Sequence, residues 1–264
     1  MEFLIICSKR DPASKNMYNF LKEDFKDTGR TFNKESVYKK GNTNLILMDT
    51  YPIFFDTFTK SFTPDVTIYA SKHTAASKIP SLTVHSIGVY TNDTSLGGQA
   101  QTLGHAVPVY KSELLRQMTN WQNPKYDVTY EVTHHGPVLP TKPVIFAEMG
   151  SDLTGWKNEK AAEFMSQTIQ KILKPLPKKR EIAIGIGGQH YPKKFTKLAL
   201  DGEYDFGHMI PRYATKEVTQ DLLKQMITKS TPRPTIAIID KQSTNKRGQI
   251  KEWLKEENID LLEI

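Results

Sequence analysis

A single cysteine, Cys7, in 264 residues leaves this chain no disulfide framework and no thiolate metal cage. It lies in the apolar run FLIIC (3–7), where a lone thiol packs as a small hydrophobe. That run is too short to cross a membrane or to form a signal-peptide core, so a cytoplasmic protein with no membrane partner is the expectation. No low-complexity tract or internal repeat is present. The familiar catalytic signatures are missing as well. There is no HExxH, no paired CxxC and no GxSxG elbow, and no Lys-Ser/Thr follows the glycines of GIGGQ (185–189). Any metal site must then be assembled from distant segments, and any hydrolysis is expected to use an activated water rather than a side-chain nucleophile.

What the chain has is positive charge. A net charge of +7 and a pI near 9.2 favour an anionic partner, of which nucleic acid is the obvious class. Much of the charge is concentrated in KPLPKKR (174–180) and YPKKFTK (191–197).

Apolar strand-like runs alternate with helical patterns over most of the length. FLIIC reads as a buried strand, followed by Asp11 as N-cap and Pro12 as first residue of a helix reaching about Phe25. NLILMDT (44–50), DVTIYAS (65–71) and LTVH (82–85) are further strands. Ser112 caps a helix with Leu114, Leu115 and Met118 on one face, and YDVTYEVTH (126–134) alternates as a half-buried strand should. PVIFAEMG (143–150), EIAIGIGG (181–188) and TIAIID (235–240) are buried strands. Helices are expected from about Trp156 to Leu173 and over IKEWLKEENI (250–259), with DLLEI (260–264) as a last short strand. The proline-rich LPTKP (139–143) and KPLP (174–177) are loops. The pattern predicts a three-layer α/β sandwich with a mixed, mostly parallel sheet. Residues 1–264 then form a single α/β unit, with two interleaved lobes as the alternative.

All seven histidines fall between 73 and 208. His85, the pair His134-His135, and His190 follow strand-like runs closely, and Glu148 ends another. The crevice at the carboxyl ends of strands is where α/β sheets bind ligands. In an unbroken strand His134 and His135 would face opposite ways. Gly136-Pro137 ends the strand there and lets the two rings turn toward a common point. The glycines of GIGGQ serve either as a tight turn or as backbone donors to an oxyanion.

Several blocks in order resemble the archaeal and plant class of D-aminoacyl-tRNA deacylase (D-tyrosyl-tRNA deacylase): CSKRDPASKNM, PSLTVHSIG, YEVTHHGP, FAEMGS with Trp156 nearby, IGIGGQHYPKKFTKLAL and GHMIPRYA. The likeness covers most of the chain and thins after about Ala214. SIGVYTND departs from it, lacking the Gly-Asn associated with the family after the VH. The resemblance implies hydrolysis of the ester between a D-amino acid and tRNA, zinc as cofactor, and a fold like those of phosphorylases and peptidyl-tRNA hydrolases. Its motifs are matched at His134, His135, Glu148, Gly187, Gly188, His190, Lys194 and His208, without a division into ligands and supporting residues; the expectation is His134, His135 and His208 as metal ligands and Glu148, His190, Gly187 and Gly188 as the catalytic set. Pro211 and Tyr213 also match its motifs. Lys193, Lys194, Arg212 and the run Lys178, Lys179, Arg180 would hold tRNA phosphates. A monomer charged with proofreading tRNA is the resulting expectation. A metal-independent peptidyl-tRNA hydrolase-like enzyme and a non-catalytic tRNA-binding protein are the alternatives.

Overall fold

The structure, a computed structural model, describes residues 1–55, 58, 61–138 and 143–264. The LPTKP loop therefore lies outside the described residues at 139–142. In chain order the first half contains β1 (Phe3–Ser8), α1 (Pro12–Glu23), β2 (Lys26–Phe32), β3 (Glu35–Lys40), β4 (Thr43–Met48), β5 (Val66–Thr74), β6 (Ser81–His85), β7 (Gly88–Val89), β8 (Thr102–Leu103), α2 (Pro108–Met118) and β9 (Asp127–Tyr130). The second contains β10 (Val144–Ser151), α3 (Leu153–Trp156), α4 (Glu159–Lys171), β11 (Glu181–Ile186), α5 (Lys193–Leu200), β12 (Tyr204–Ile210), α6 (Arg212–Thr215), α7 (Gln220–Thr228), β13 (Ile236–Ile239), α8 (Arg247–Glu256) and β14 (Asp260–Glu263).

Eight strands form one mixed sheet in the order β2-β3-β4-β1-β5-β10-β6-β9, and four parallel strands form a second, β12-β11-β13-β14. The α/β class and the mostly parallel pairing are as the sequence leads one to expect. β1 illustrates the packing: Phe3, Ile5 and Cys7 point into a core shared with α1, α2 and α4, while Leu4 and Ile6 point into a separate cluster on the opposite face. The shared core also takes Ala183, Ile236 and Ile238 from the second sheet, so both sheets lie against one layer of helices. α7 and α8 cover the far side of the smaller sheet. No helix among the described residues is long and apolar enough to cross a membrane.

Asp11 caps α1 as its type predicts, accepting from the Ser14 N–H at 2.9 Å, with Pro12 at the first helical position. Its second oxygen accepts from the Lys72 N–H at 2.8 Å and so ties the helix to β5. Three expected boundaries differ. Ser112 is not a cap: α2 already begins at Pro108, and the Ser112 hydroxyl is buried, receiving the Phe206 N–H at 3.1 Å and pairing with the Tyr130 hydroxyl. The helix expected from about Trp156 to Leu173 runs over Glu159–Lys171 with Asn158 as its cap, and Trp156 instead closes the short α3 that Asp152 caps. The alternating strand ends at Tyr130 rather than His134. Glu131 N–H still bonds the Val84 carbonyl (3.2 Å), and from Val132 the amides leave the larger sheet, Val132 N–H bonding the His190 carbonyl (3.0 Å) and Thr133 N–H that of Met209 (2.9 Å).

Candidate active site

That crossing from one sheet to the other builds the site. Glu131, His134 and His135 swing out of β9 between the ends of β5, β6 and β10 on one side and the loop after β11 on the other. His135 takes a left-handed backbone (φ 44°), which breaks the alternation of a strand. The two rings that period two would set back to back therefore lie 4.3 Å apart, and each lies beside His85, at 4.2 and 4.7 Å.

The hydrogen bonds of these three imidazoles decide their tautomers. His85 Nδ1 is 3.1 Å from the Ser86 carbonyl, His134 Nδ1 is 2.9 Å from that of Val132, and His135 Nδ1 is 2.6 Å from that of Gly136. A carbonyl oxygen only accepts, so each Nδ1 carries a proton, and in the neutral ring Nε2 is the nitrogen with the lone pair. Ligand nitrogens of the three rings lie within 4.8 Å of one another, and His85 Nε2 is buried without a partner. Burial and neighbouring imidazoles lower the pKa of His134, and burial with His85 lowers that of His135 to about 4, so both are neutral at neutral pH. Converging basic nitrogens with no proton among them suit a cation, and backbone anchoring of the second nitrogen is the usual support for a metal-ligating histidine.

A second group adjoins the first. Glu131, fully buried, takes a 2.7 Å hydrogen bond from His190 Nε2 and lies 3.1 Å from His73 Nδ1. Burial opposes its ionisation, but these two partners overcome it and hold its pKa well below the usual range. His73 also approaches Glu148 at 3.6 Å; although burial works against its charge, the two carboxylates raise its pKa to about 10. The result is an imidazolium between two buried carboxylates, which neutralises part of their charge. On its other side His73 Nε2 meets the Tyr191 hydroxyl at 2.9 Å. Glu148 stands between His73 and His85, 3.8 Å from His85 Nε2. His190 donates from Nε2, so its Nδ1 is the basic nitrogen, and its side chain is 36 % exposed at the cavity beside His134 and His135.

Other residues singled out in the sequence are placed elsewhere. His208 does not join the imidazole group. Its Nε2 lies 3.2 Å from the Gly104 carbonyl and 3.3 Å from that of Lys229, so Nδ1 accepts from the Thr133 hydroxyl, and neither nitrogen is left for a metal. Gly187 and Gly188 both need positive φ, 96° and 86°, and a Cβ at Gly187 would stand 2.3 Å from Thr244 Oγ1. Their amides are spent on the Ile210 carbonyl (2.9 Å) and Ser243 Oγ (2.7 Å), so they shape the turn and are not oxyanion donors. Lys194 is paired with Asp240 at 2.9 Å. Lys193 and Arg212 have no ion-pair partner among the described residues and line a cavity of about 460 Å³ with Gln189 and Tyr191. Lys178, Lys179 and Arg180 precede β11, whereas the glycine turn follows it. Six residues of strand put them about 20 Å away, and Arg180 is bonded there to the Gly202 carbonyl at 3.1 Å.

Sequence reasoning passed over His73, Glu131 and Tyr191, and noted His85 only as a histidine at a strand end. The available signal was Glu131 three residues before His134 and the "VH" ending of β6.

A family model described as D-aminoacyl-tRNA deacylase matches residues 60–262. A D-aminoacyl-tRNA deacylase of Pyrococcus horikoshii is 32 % identical over 263 residues, covering 96 % of this chain and 94 % of its own. One of Aeropyrum pernix is 42 % identical over 186 residues, 67 % of each chain. The crystal structure of a conserved protein of unknown function superposes with a TM-score of 0.91 at 25 % identity, covering 99 % of this chain and 95 % of that one. With the family's match running through β5 to β14 and every imidazole of the site inside it, the chain belongs to the D-aminoacyl-tRNA deacylase family.

Proposed function

We propose that this protein hydrolyses the ester that joins a D-amino acid to tRNA, with one zinc ion held by His85, His134 and His135. The observation that carries the metal is the set of three imidazoles, each with Nδ1 on a backbone carbonyl, and with a nitrogen of each ring within 4.8 Å of the others. Family membership carries the substrate. Bound there, zinc supplies Lewis acidity and lowers the pKa of a ligated water to about 7.

The protein's own groups do the rest. His190, held by Glu131, accepts the proton of the attacking water through its basic nitrogen as the new C–O bond forms. The same imidazolium then returns a proton to the ribose oxygen as the ester C–O bond breaks, releasing a free amino acid and uncharged tRNA. Glu131 keeps the ring oriented and stabilises its charge, as a buried carboxylate does for a catalytic histidine. Lys193 and Arg212, free of internal partners, receive acceptor-end phosphates in the cavity that adjoins Tyr191.

The test is release of labelled tyrosine from D-Tyr-tRNA and L-Tyr-tRNA, before and after chelation and zinc return, with His85→Ala alongside. D-specific release that is lost on chelation, regained with zinc and absent in His85→Ala is expected. Chelator-resistant release would remove zinc from the mechanism and favour a metal-independent hydrolase. No release from either ester at any metal content would leave a tRNA-binding protein.

A further inference from the structure

We infer that Asp93 binds the α-ammonium group of the aminoacyl ester and is thereby a specificity-determining contact; the inference rests on the proposed deacylase reaction. A cavity of about 230 Å³ has His134, His135 and His190 on one wall and the strap between β7 and β8 on the other. The strap is tied over the imidazoles at defined points. Gly88 N–H donates to the His135 carbonyl (2.9 Å), Gly136 N–H to that of Leu96 (3.1 Å), and Gln101 N–H to that of Thr91 (3.1 Å).

Asp93 supplies the only carboxylate among the residues that line this cavity. One of its oxygens accepts from the Ser95 N–H at 2.9 Å, and its own N–H donates to Thr91 Oγ1 at 3.2 Å, so the side chain is held in a turn. Ser95 bonds the carboxylate through both its N–H and its hydroxyl, and no cation pairs with it among the described residues. The Ser95 N–H lowers its pKa, so it is an anion at neutral pH.

The electrostatics of an aminoacyl ester then select its orientation. The carbonyl must reach the imidazole wall, and the ribose must lie toward Lys193 and Arg212. Lys193 and Arg212 repel the α-ammonium, His134 and His135 are neutral and hold no charge toward it, and the strap wall offers the one carboxylate among the residues that line the cavity. Once the ester carbon and the nitrogen are each held, exchanging enantiomers exchanges the positions of the side chain and the α-hydrogen. One enantiomer turns its side chain to the open mouth at Leu96 and Tyr213, 57 % and 55 % exposed, and the other turns it toward the buried Val89 and Tyr90.

The test is a cycle of two proteins and two substrates: wild type and Asp93→Asn, each on D-Tyr-tRNA and on the D-configured α-hydroxyacyl-tRNA with the same side chain. An exposed ion pair is modest in strength, so Asp93→Asn is expected to lower kcat/KM on D-Tyr-tRNA about fivefold. Replacing ammonium by hydroxyl lowers the wild type similarly, and the variant is no worse than wild type on the hydroxy ester. An unchanged thermal midpoint for Asp93→Asn shows that the strap is intact. Equal losses on both substrates, or no loss on either, would overturn the assignment of Asp93. A wild type inert on D-Tyr-tRNA would instead overturn the deacylase reading itself.

Discussion

Replacing His208 by Gln separates two roles that its sequence motif leaves together. His208 is fully buried, and burial, aided by the nearby Lys111 charge, lowers its pKa from 6.5 to about 3. The folded protein therefore refuses a proton that the unfolded chain accepts. Above the unfolded value both states are neutral and His208 contributes no pH dependence; below it the unfolded state gains, and stability falls until the folded value is reached. At about pH 5, some 1.5 units below the unfolded value, the loss is roughly 2 kcal/mol. His208→Gln keeps a donor toward the Gly104 and Lys229 carbonyls but leaves the Thr133 hydroxyl without its acceptor, at a cost of about 1–3 kcal/mol near neutral pH. The variant should thus be the less stable protein near neutrality and close most of that gap at about pH 5. Urea unfolding of both proteins across this range, with zinc quantified in each, measures it. Other titrating groups are common to both and cancel in the difference. A gap that stays constant with pH would refute the buried neutral imidazole, and loss of zinc from His208→Gln would refute its exclusion from the metal site.

Two other substitutions probe buried charge. Glu131→Gln removes the negative charge that stabilises the His190 imidazolium and one of the two carboxylates that keep His73 charged, so kcat for D-Tyr-tRNA should fall about 100-fold or more while KM changes little; single-turnover kinetics would show it, and a pure KM effect would contradict the role. Lys111 is buried with its Nζ on Ser86 Oγ (3.1 Å) and the Gly207 carbonyl, and burial lowers its pKa from 10.5 to about 7. Its folded charge is therefore disfavoured, and wild-type stability should rise between about pH 7 and pH 9 by roughly 2–3 kcal/mol relative to Lys111→Met. Parallel stability curves for the two proteins would contradict it.

The strands that were legible are those buried on both faces, where an apolar run has no other explanation: β1, β4, β5, β10, β11 and β13. The hairpin of β2 and β3 was not, because KDTGRTF forms the sheet edge with mostly exposed residues and ESVYKK beside it fully buries only Val37. Ser112 looked like a cap because serine favours helix starts, yet here the same hydroxyl satisfies a buried amide across the core. Local propensity has no access to that partner.

The site divides along the same line. His134 and His135 were visible because their adjacency beside Gly-Pro demanded a local reason. Their companions come from pairings that no local pattern records. His85 reaches them because β6 runs antiparallel to β10, which puts His85 opposite Phe146 and brings it near Glu148. Glu131 reads as one more polar residue of an alternating strand. It becomes the anchor of His190 only because its own N–H still bonds the Val84 carbonyl of the larger sheet, while the next two amides go to His190 and to Met209 of the smaller one. His208 misled for the converse reason, since it shares a strand with Met209, whose carbonyl receives that crossing, and its ring is used to hold Thr133 in the same place. Catalytic geometry here is a property of the junction between two sheets. A substitution that shifts the crossing at 131–133 should therefore disturb the metal-capable imidazoles and the Glu131–His190 pair together, even where it touches neither.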